Sequence, residues 1–199
     1  LGQQFEITRT DVKKWTVGTP IQAPLDAIVN LRQKRAFEAD DVRKVVVRLA
    51  PTVAAVVDNR DIPDICLQHM MAVMLIDKTA SFQAAHDAPR MKDATVLKHR
   101  AKIQLVHEEA LEKLMPKRVA IVEVTLNDGK KLSERVEAVR GTAENPMTRE
   151  EIIAKARDQF AVFVALGQMQ QHRQINHQHP QINGTGGHRP DHARQQPGE

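Results

Sequence analysis

An Asp-Gly pair between two strand-like runs most constrains what this chain can fold into. The runs are residues 119–126 (VAIVEVTL) and 131–138 (KLSERVEA), and the residues NDGK separate them. β-Branched side chains dominate the first run, as is typical of strands. Gly129 tolerates the positive φ that a tight turn requires, so the two runs are predicted to pair as an antiparallel hairpin.

Two other segments carry helix signals. In the first, apolar residues recur at helical spacing over residues 25–31, and Pro24 is acceptable in a first turn. In the second, Thr148 is followed three residues later by Glu151, which is the spacing of a capping box. This second helix is predicted to run to about Phe163.

The remaining elements are a strand and two further helices. Residues 42–49 (VRKVVVRL) are rich in Val, which suits a strand. Asp64 is a candidate cap for a helix through about Ile76, whose nearly continuous apolar character predicts burial on most sides. Asp93 is a candidate cap for residues 94–102. Together these elements predict an α+β domain, in which helices pack on a small, mainly antiparallel sheet.

Composition agrees with a folded domain and argues against disulfide bonds, a cysteine-based zinc finger and nucleic-acid binding. Hydrophobic residues make up 41% of the 199 residues, enough for a buried core. The single cysteine, Cys66, excludes an internal disulfide framework and a cysteine-based zinc finger. The net charge is +4, from 29 basic and 25 acidic residues. Mixed charge of this kind does not form the continuous basic face that nucleic acid requires.

The sequence shows no segment suited to a membrane or to export. The longest apolar run, residues 70–76, is far shorter than the roughly 20 residues that span a bilayer. Residues 1–15 lack a basic segment leading into an apolar one, as a secretory signal requires. A cytoplasmic protein without membrane contact is therefore predicted. Leu1 stands where an initiator Met would, which suggests a longer parent chain.

The composition changes sharply after Gly167. Residues 168–199 hold eight Gln and five of the nine His, with few apolar residues. Such a segment cannot bury enough surface to offset its ordering entropy, so a disordered Gln/His-rich tail is predicted after a domain of residues 1–167. Its histidines match no defined metal spacing, and weak capture of a transition metal is the alternative to a solvated tail. A frameshift near Asp158 is a hypothesis for the abrupt change.

Common catalytic motifs are absent from the sequence. It contains neither a phosphate-binding glycine loop after a strand nor a Gly-x-Ser-x-Gly elbow, and Cys66 is predicted to be a buried structural thiol. Lys13 and Lys14 precede Trp15, and their ammonium groups suit the carboxylates of a small anion, although a solvated lysine pair is the plainer interpretation. His69 lies on the predicted apolar helix as either a core histidine or a catalytic one.

Four segments in order carry a likeness to a known family. They are KKWTVGTPIQ (13–22), VDNRDIPDICLQH (57–69), AVMLID (72–77) and the stretch from LNDG (126–129) through Gly141 to NPMT (145–148). In these segments the chain resembles the MmgE/PrpD family, which includes 2-methylcitrate dehydratase, cis-aconitate decarboxylase and iminodisuccinate epimerase. Each segment is weakly specific alone, whereas the ordered set is more specific and spans about residues 1–160.

The resemblance is confined to the C-terminal half of the family. Family members carry a larger all-helical domain before this point, and a smaller α+β domain closes over it as a lid, with the active site between the two. The resemblance therefore implies the lid of a cofactor-independent, homodimeric lyase that acts on a small polycarboxylate. Neither a metal nor an organic cofactor is implied. The N-terminal helical domain is the implied partner, and without it the chain is expected to be inactive.

The same resemblance implies where the site residues lie. A lysine just before an aromatic residue faces the substrate in this family, and Lys13 matches it, with Lys14 as a substrate-binding neighbour. A tyrosine that lines the site corresponds to His69 here. The family often has His at the positions of Gly18 and Gln22, so Gly18 leaves a role unfilled and Gln22 is expected only to hydrogen-bond the substrate.

The implied chemistry fits these residue types. Dehydrating a hydroxy-polycarboxylate begins with loss of a proton α to a carboxylate, which builds negative charge on that group. Lys13 would stabilise this charge, and His69 would line the site or relay a proton. The choice among dehydratase, decarboxylase and epimerase stays open, since Lys78 follows Asp77 where the family usually has Gly. The alternative interpretation is a non-enzymatic α+β interaction domain or a decayed fragment.

Overall fold

A four-stranded sheet lies at the centre of the fold. The computed structural model describes the backbone of residues 10–178 and the side chains of residues 10–164. The strands are β1 (Val42–Leu49), β2 (Ile103–His107), β3 (Ala120–Leu126) and β4 (Lys131–Val136), in the order β2-β1-β3-β4. β1 pairs parallel with β2, whereas β1 with β3 and β3 with β4 are antiparallel. The sheet is therefore mainly antiparallel, as predicted.

Seven α-helices within residues 10–178 accompany the sheet. They are α1 (Thr19–Lys34), α2 (Pro51–Val57), α3 (Leu67–Asp77), α4 (Phe82–His86), α5 (Ala94–Arg100), α6 (Glu109–Glu112) and α7 (Arg149–Gln178). Helices α2 to α5 lie between β1 and β2 in the chain, because parallel neighbours cannot be joined by a tight turn and need a crossover. This combination confirms the predicted α+β class.

The β3–β4 hairpin forms as the Asp-Gly pair predicts. Gly129 takes a φ of 83° in the turn, and the Leu126 N–H donates to the carbonyl of Lys130 at 2.8 Å. Alternate residues of β3, beginning with Ala120 and ending with Leu126, are buried. Period-two burial of this kind places one face of the strand on the core.

Helix α3 is buried on nearly every side, which confirms the prediction from its apolar sequence. All residues from Leu67 through Leu75 are buried, and burying a Leu or Met side chain fully contributes about 1.5–3 kcal/mol. The predicted cap is wrong: the helix begins after Cys66, a buried free thiol. Asp64 lies in the preceding 3₁₀ turn, where its carbonyl accepts from the Gly18 N–H at 2.8 Å.

Helix α1 begins earlier than its apolar spacing predicts. It starts at Thr19, so Pro20 lies in the first turn and Pro24 lies inside the helix. A proline in the first turn costs little because that N–H has no intrahelical acceptor. Pro24 removes one interior hydrogen bond, but Ile21 and Leu25 on either side of it are fully buried. Burial of this face against β3, β4 and α3 outweighs the lost bond.

The two remaining cap predictions are confirmed. The Asp93 carboxylate accepts from the Val96 N–H at 2.9 Å and caps α5. At the start of α7, Glu151 accepts from the Thr148 N–H at 2.9 Å, and the Thr148 hydroxyl accepts from the Glu151 N–H at 3.2 Å. Both caps use side chains three residues from their donors, which is why the local sequence reveals them.

Helix α7 continues beyond Phe163, where the sequence pattern predicts its end, to Gln178. Gln and Met are good helix formers, and a helix satisfies its own backbone hydrogen bonds without an apolar partner. The part of α7 through Phe163 belongs to one compact unit with the sheet, and a second unit begins at Val164. The predicted disordered tail starts within this helix at Gln168, and its remainder, residues 179–199, lies outside the described residues.

The described backbone contains no helix long and apolar enough to cross a membrane. Among the side chains of residues 10–164, no group of three or more His, Cys, Asp or Glu could hold a metal ion. The side chains of the tail histidines lie outside the described residues, so metal capture by the tail stays a prediction.

Candidate functional site

The segment before α1, which carries Lys13 and Lys14, is held against a tight turn at Gly141. The Val12 N–H donates to the Gly141 carbonyl at 2.8 Å, and Gly141 takes a φ of 100°. A Cβ at this position would lie 1.8 Å from the Val12 carbonyl oxygen. Only glycine allows this approach of two backbones. Gly141 therefore helps to fix the position of the backbone at Val12, directly before Lys13.

Trp15 fixes the next part of the segment. The residue is 7% exposed, and its Nε1–H donates to the Asp26 carboxylate at 2.9 Å. Gln22, one turn into α1, accepts from the Trp15 N–H at 3.1 Å and donates to the Trp15 carbonyl at 2.7 Å. The Gln22 amide also donates to the Val17 carbonyl at 3.2 Å. Gln22 is buried, and its side-chain amide forms its hydrogen bonds with the backbone of Trp15 and Val17.

Asp26 joins the segment to the end of the sheet. Its other carboxylate oxygen accepts from the Arg140 N–H at 2.8 Å. Burial raises the pKa of Asp26, and the hydrogen bonds from Arg140 and Trp15 and the charges of Lys14 and Arg140 oppose that rise. A buried carboxylate with two N–H donors is a structural anchor, because its charge is already satisfied.

Lys14 belongs to an ion-pair cluster with Glu151 at the start of α7. Its Nζ lies 3.4 Å from Glu151 Oε1 and 4.7 Å from the centre of the Trp15 ring. Arg140 donates to the same carboxylate at 2.5 Å. Hydrogen bonding from Arg140 lowers the pKa of Glu151 to about 2, although desolvation opposes it. The Lys14 ammonium is therefore partly neutralised by the protein itself.

Lys13 has the opposite environment. Its side chain is exposed, and its Nζ donates to the Val17 carbonyl at 3.3 Å. Among the described residues Lys13 has no ion-pair partner. An ammonium whose contact is a neutral carbonyl is open to a charge-assisted hydrogen bond with an external anion.

Two open grooves, each about 460 Å³, flank Trp15 and Thr16. Lys13 lines the first groove, together with Gly18 and Asp64. Lys14 lines the second, together with other residues from 78–81 and from α7. Lys155 lines both grooves. Volumes of 300–1,000 Å³ are typical of small-molecule sites, so the surface around the two lysines is large enough for a small organic acid.

The structure separates His69 from this surface. The His69 ring is 0% exposed, and His69 lines neither groove. Neither ring nitrogen has a hydrogen-bond partner within the described part of the chain. Burial lowers the pKa of His69 to about 4; the charges of Arg100 and Arg90 lower it further, and Asp87 raises it. The imidazole is neutral at pH 7 and sits in the core.

The end of α3 shows why a glycine would suit the position of Lys78. Lys78 takes a φ of 62°, the left-handed conformation that ends many helices and favours Gly. Its Nζ lies 2.7 Å from Glu38. Asp77 is engaged by the Arg90 guanidinium through two hydrogen bonds, at 2.5 and 2.6 Å. Both residues at this helix end therefore have structural partners.

The sequence analysis does not predict that side chains of α7 line the two grooves. Glu151, Lys155 and Gln159 follow at four-residue spacing, which places them on one face of a helix. Lys155 donates to the Lys14 carbonyl at 3.5 Å, and Asp158 accepts from the Phe82 N–H at 2.7 Å. The helical spacing was available in the sequence, but the surface that this face meets was not.

Comparison with known proteins identifies the family. The model of the MmgE/PrpD C-terminal domain matches residues 15–179, which include Gln22, His69 and Lys155. Lys13 and Lys14 lie immediately before the matched range, and the match extends into the predicted tail. No curated protein matches the chain. Because the family model covers most of the sequence, the chain belongs to the MmgE/PrpD family through that family's C-terminal domain.

Proposed function

We propose that this chain is the lid part of a cofactor-independent MmgE/PrpD lyase, similar to 2-methylcitrate dehydratase, that acts on a small polycarboxylate. The observation that carries the proposal is the environment of Lys13. Its ammonium lines an open groove of about 460 Å³ beside an anchored backbone and has no ion-pair partner in the described chain. A positioned, unneutralised cation of this kind binds a carboxylate.

In the proposed dehydration, Lys13 acts on the substrate carboxylate next to the carbon that loses its proton. A base removes that proton, the carbon–carbon double bond forms, and the β-hydroxyl leaves with a proton as water. The carboxylate gains negative charge as the proton departs, so an adjacent ammonium stabilises the transition state more than the ground state. The base and the leaving-group acid are proposed to belong to the helical domain.

Lys14 and Gln22 are proposed to support this contact in different ways. Lys14 adds positive potential to the second groove, although Glu151 shares its charge. The hydrogen bonds of Gln22 to Trp15 and Val17 support a positioning role. A direct bond from Gln22 to the substrate would require one of these bonds to break.

A proton relay through His69 stays a prediction. The fully buried ring reaches a substrate only if the residues packed over α3 move. In its favour, the two unpartnered ring nitrogens leave His69 available to a partner that the described chain does not supply.

The proposal includes an N-terminal helical domain and a homodimer as assembly partners. The helical domain would supply most of the acid–base groups, so the isolated chain is expected to be inactive. Immunoblotting of the source with an antibody against residues 15–160, followed by intact mass spectrometry, tests this. A native species well above 22.4 kDa supports a two-domain enzyme. A species at 22.4 kDa, with no helical-domain chain in the same complex, contradicts the arrangement.

Turnover tests the reaction itself. The purified chain is assayed for loss of 2-methylcitrate, alone and with the helical domain of a family enzyme added as a separate chain. We expect activity only in the mixture, and Lys13→Met should reduce it on the order of a hundredfold. Lys44→Met, at an exposed position on β1, is the matched control and should retain activity. Turnover by the chain alone, or an active Lys13→Met mixture, would overturn the proposal.

The alternative function, an interaction domain without catalysis, rests on exposed apolar side chains of α7. Phe160 is 66% exposed and Phe163 is 61% exposed. Large apolar groups exposed together often mark an interface. Sedimentation at increasing protein concentration, with Phe160→Ser as the comparison, tests this: association that the variant abolishes, combined with no turnover in the mixture, favours the interaction domain.

A further inference from the structure

Lys155 has an environment that resembles that of Lys13. It lies at the end of the second turn of α7, and its Nζ donates to the Lys14 carbonyl at 3.5 Å. Like Lys13, it contacts a backbone carbonyl of residues 14–17 and has no ion-pair partner among the described residues. Lys13 lies next to this short segment in the sequence, whereas Lys155 comes from α7, more than a hundred residues later.

Both lysines line the first groove, and they are close enough for their charges to interact. Burial lowers the pKa of Lys155; the nearby charge of Asp158 raises it, and the charge of Lys13 lowers it. Two ammonium groups at one groove repel each other, and an anion bound between them removes that repulsion.

Two carboxylates, those of Asp158 and Asp64, lie near this pair, and neither forms an ion pair with Lys13 or Lys155. Asp158 accepts from the Phe82 N–H at 2.7 Å, which directs its carboxylate to the start of α4. Asp64 lines the groove and forms no ion pair with either lysine. The groove therefore keeps two positive charges against one negative one along its wall, which favours a ligand with more than one carboxylate.

We propose that Lys155 is a second ligand for a substrate carboxylate, and that Lys13 and Lys155 together select di- and tricarboxylates over monocarboxylates. This inference rests on the proposed function and adds the residue that sets its substrate class. One carboxylate contacts Lys13 on the segment before α1, and another contacts Lys155 on α7. A monocarboxylate satisfies one ammonium and leaves the other unpaired.

Binding of an unreactive probe tests this without turnover. Propane-1,2,3-tricarboxylate is titrated into the 199-residue chain at constant ionic strength, and butyrate serves as the monocarboxylate comparison; amide chemical shifts report the affinity. We expect the tricarboxylate to bind more tightly than butyrate and to shift resonances in residues 13–18 and in α7. Lys155→Met and Lys13→Met should each weaken tricarboxylate binding about tenfold.

Two further variants separate a ligand contact from a general charge effect. Lys155→Arg keeps the positive charge and a donor at the groove, so it should stay within about threefold of the wild-type affinity. Lys44→Met removes one positive charge far from the groove in sequence and should bind as the wild type does. Far-ultraviolet circular dichroism confirms that each variant is folded.

The outcomes distinguish this inference from the proposed function. Equal tricarboxylate affinity for Lys155→Met and Lys44→Met would overturn the inference, as would equal affinity of the wild type for the two probes. If the lysine variants weaken binding but the chain shows no turnover with a helical domain, the two-lysine site stands and the lyase proposal fails. If turnover is present and Lys155→Met binds normally, the lyase proposal stands and this inference fails.

Discussion

Replacing His69 should remove a pH dependence from the stability of this chain. The ring is fully buried, and neither nitrogen has a hydrogen-bond partner in the described structure. Protonating it in the folded state would place a charge in the core, near Arg100 and Arg90 and with only Asp87 to favour it. The folded protein therefore resists protonation of His69 much more than the unfolded chain does.

The size of the effect follows from the two pKa values. His69 has a pKa of about 4 in the folded state, against 6.5 for an unperturbed histidine. As the pH falls, the unfolded chain binds this proton first, so stability decreases progressively below pH 6.5 and the full loss is present below about pH 4. At about 1.4 kcal/mol for each pH unit between these values, the full loss is about 3 kcal/mol.

Urea unfolding at a series of pH values, in wild type and His69→Phe, measures this contribution. Phenylalanine keeps a planar ring in the core but cannot titrate. The free energy of unfolding of wild type relative to the variant should be constant above pH 7 and should fall by about 3 kcal/mol by pH 4. Subtracting the variant removes the contribution of His99, whose pKa is also lowered by burial. Replacing exposed His107 in the same way is the control.

A difference between wild type and His69→Phe that does not change with pH would refute this reasoning. It would mean that the imidazole is solvated or hydrogen-bonded in the folded protein. At pH 8 the variant should be at least as stable as wild type, because leaving a buried polar group unsatisfied costs about 1–3 kcal/mol. A variant much less stable at pH 8 would indicate that the ring nitrogens have partners after all.

Three further changes test the frame around the groove. Gly141→Ala should lower stability by more than the roughly 1 kcal/mol expected for Gly129→Ala, because the new Cβ meets backbone at Gly141 and open space at Gly129; thermal unfolding of the two variants compares them, and equal melting temperatures would contradict the close approach. Lys78→Gly should raise stability by about 0.5–1 kcal/mol in urea unfolding, since φ is 62° there; a loss would show that the Lys78 ion pair matters more. Glu151→Gln should cost about 1–2 kcal/mol at pH 7 after allowance for solvent screening, and because the depressed pKa of Glu151 is about 2 against 4.5, the difference from wild type should disappear as the pH falls from 4.5 toward 2. A difference that persists at pH 2 would show that Glu151 acts through packing rather than charge.

The elements that sequence predicts correctly are those encoded within a few neighbouring residues. Gly129 forms its turn with adjacent residues, and Asp93 and Thr148 cap helices through donors three residues away. The positions predicted for Asp64 and Pro24 are wrong because the local pattern around each residue fits more than one helix start. Several nearby starting points satisfied the local pattern, and distant contacts, such as Gly18 with the Asp64 carbonyl, selected among them.

The candidate site depends on longer contacts. Lys13 and Lys14 are recognisable as lysines beside Trp15, but Lys14 forms an ion pair with Glu151, which is more than a hundred residues away. The sequence does not identify Lys155 as a candidate, because the helical spacing of its neighbours does not show which part of the chain this face contacts. The apolar sequence around His69 predicts that its helix is buried on most sides, and the packed structure shows that His69 lies on an enclosed side.

By itself, the sequence determined the α+β class, the hairpin, the starts of α5 and α7 and the resemblance to the MmgE/PrpD family. Each of these depends on residue types at short, fixed spacing, where backbone conformation and local hydrogen bonds decide the outcome. Only the tertiary structure decided that α7 brings Lys155 to the groove of Lys13 and that His69 is enclosed. Charge, burial and the pKa of a side chain depend on everything within a few ångströms, and chain folding draws those neighbours from all parts of the sequence.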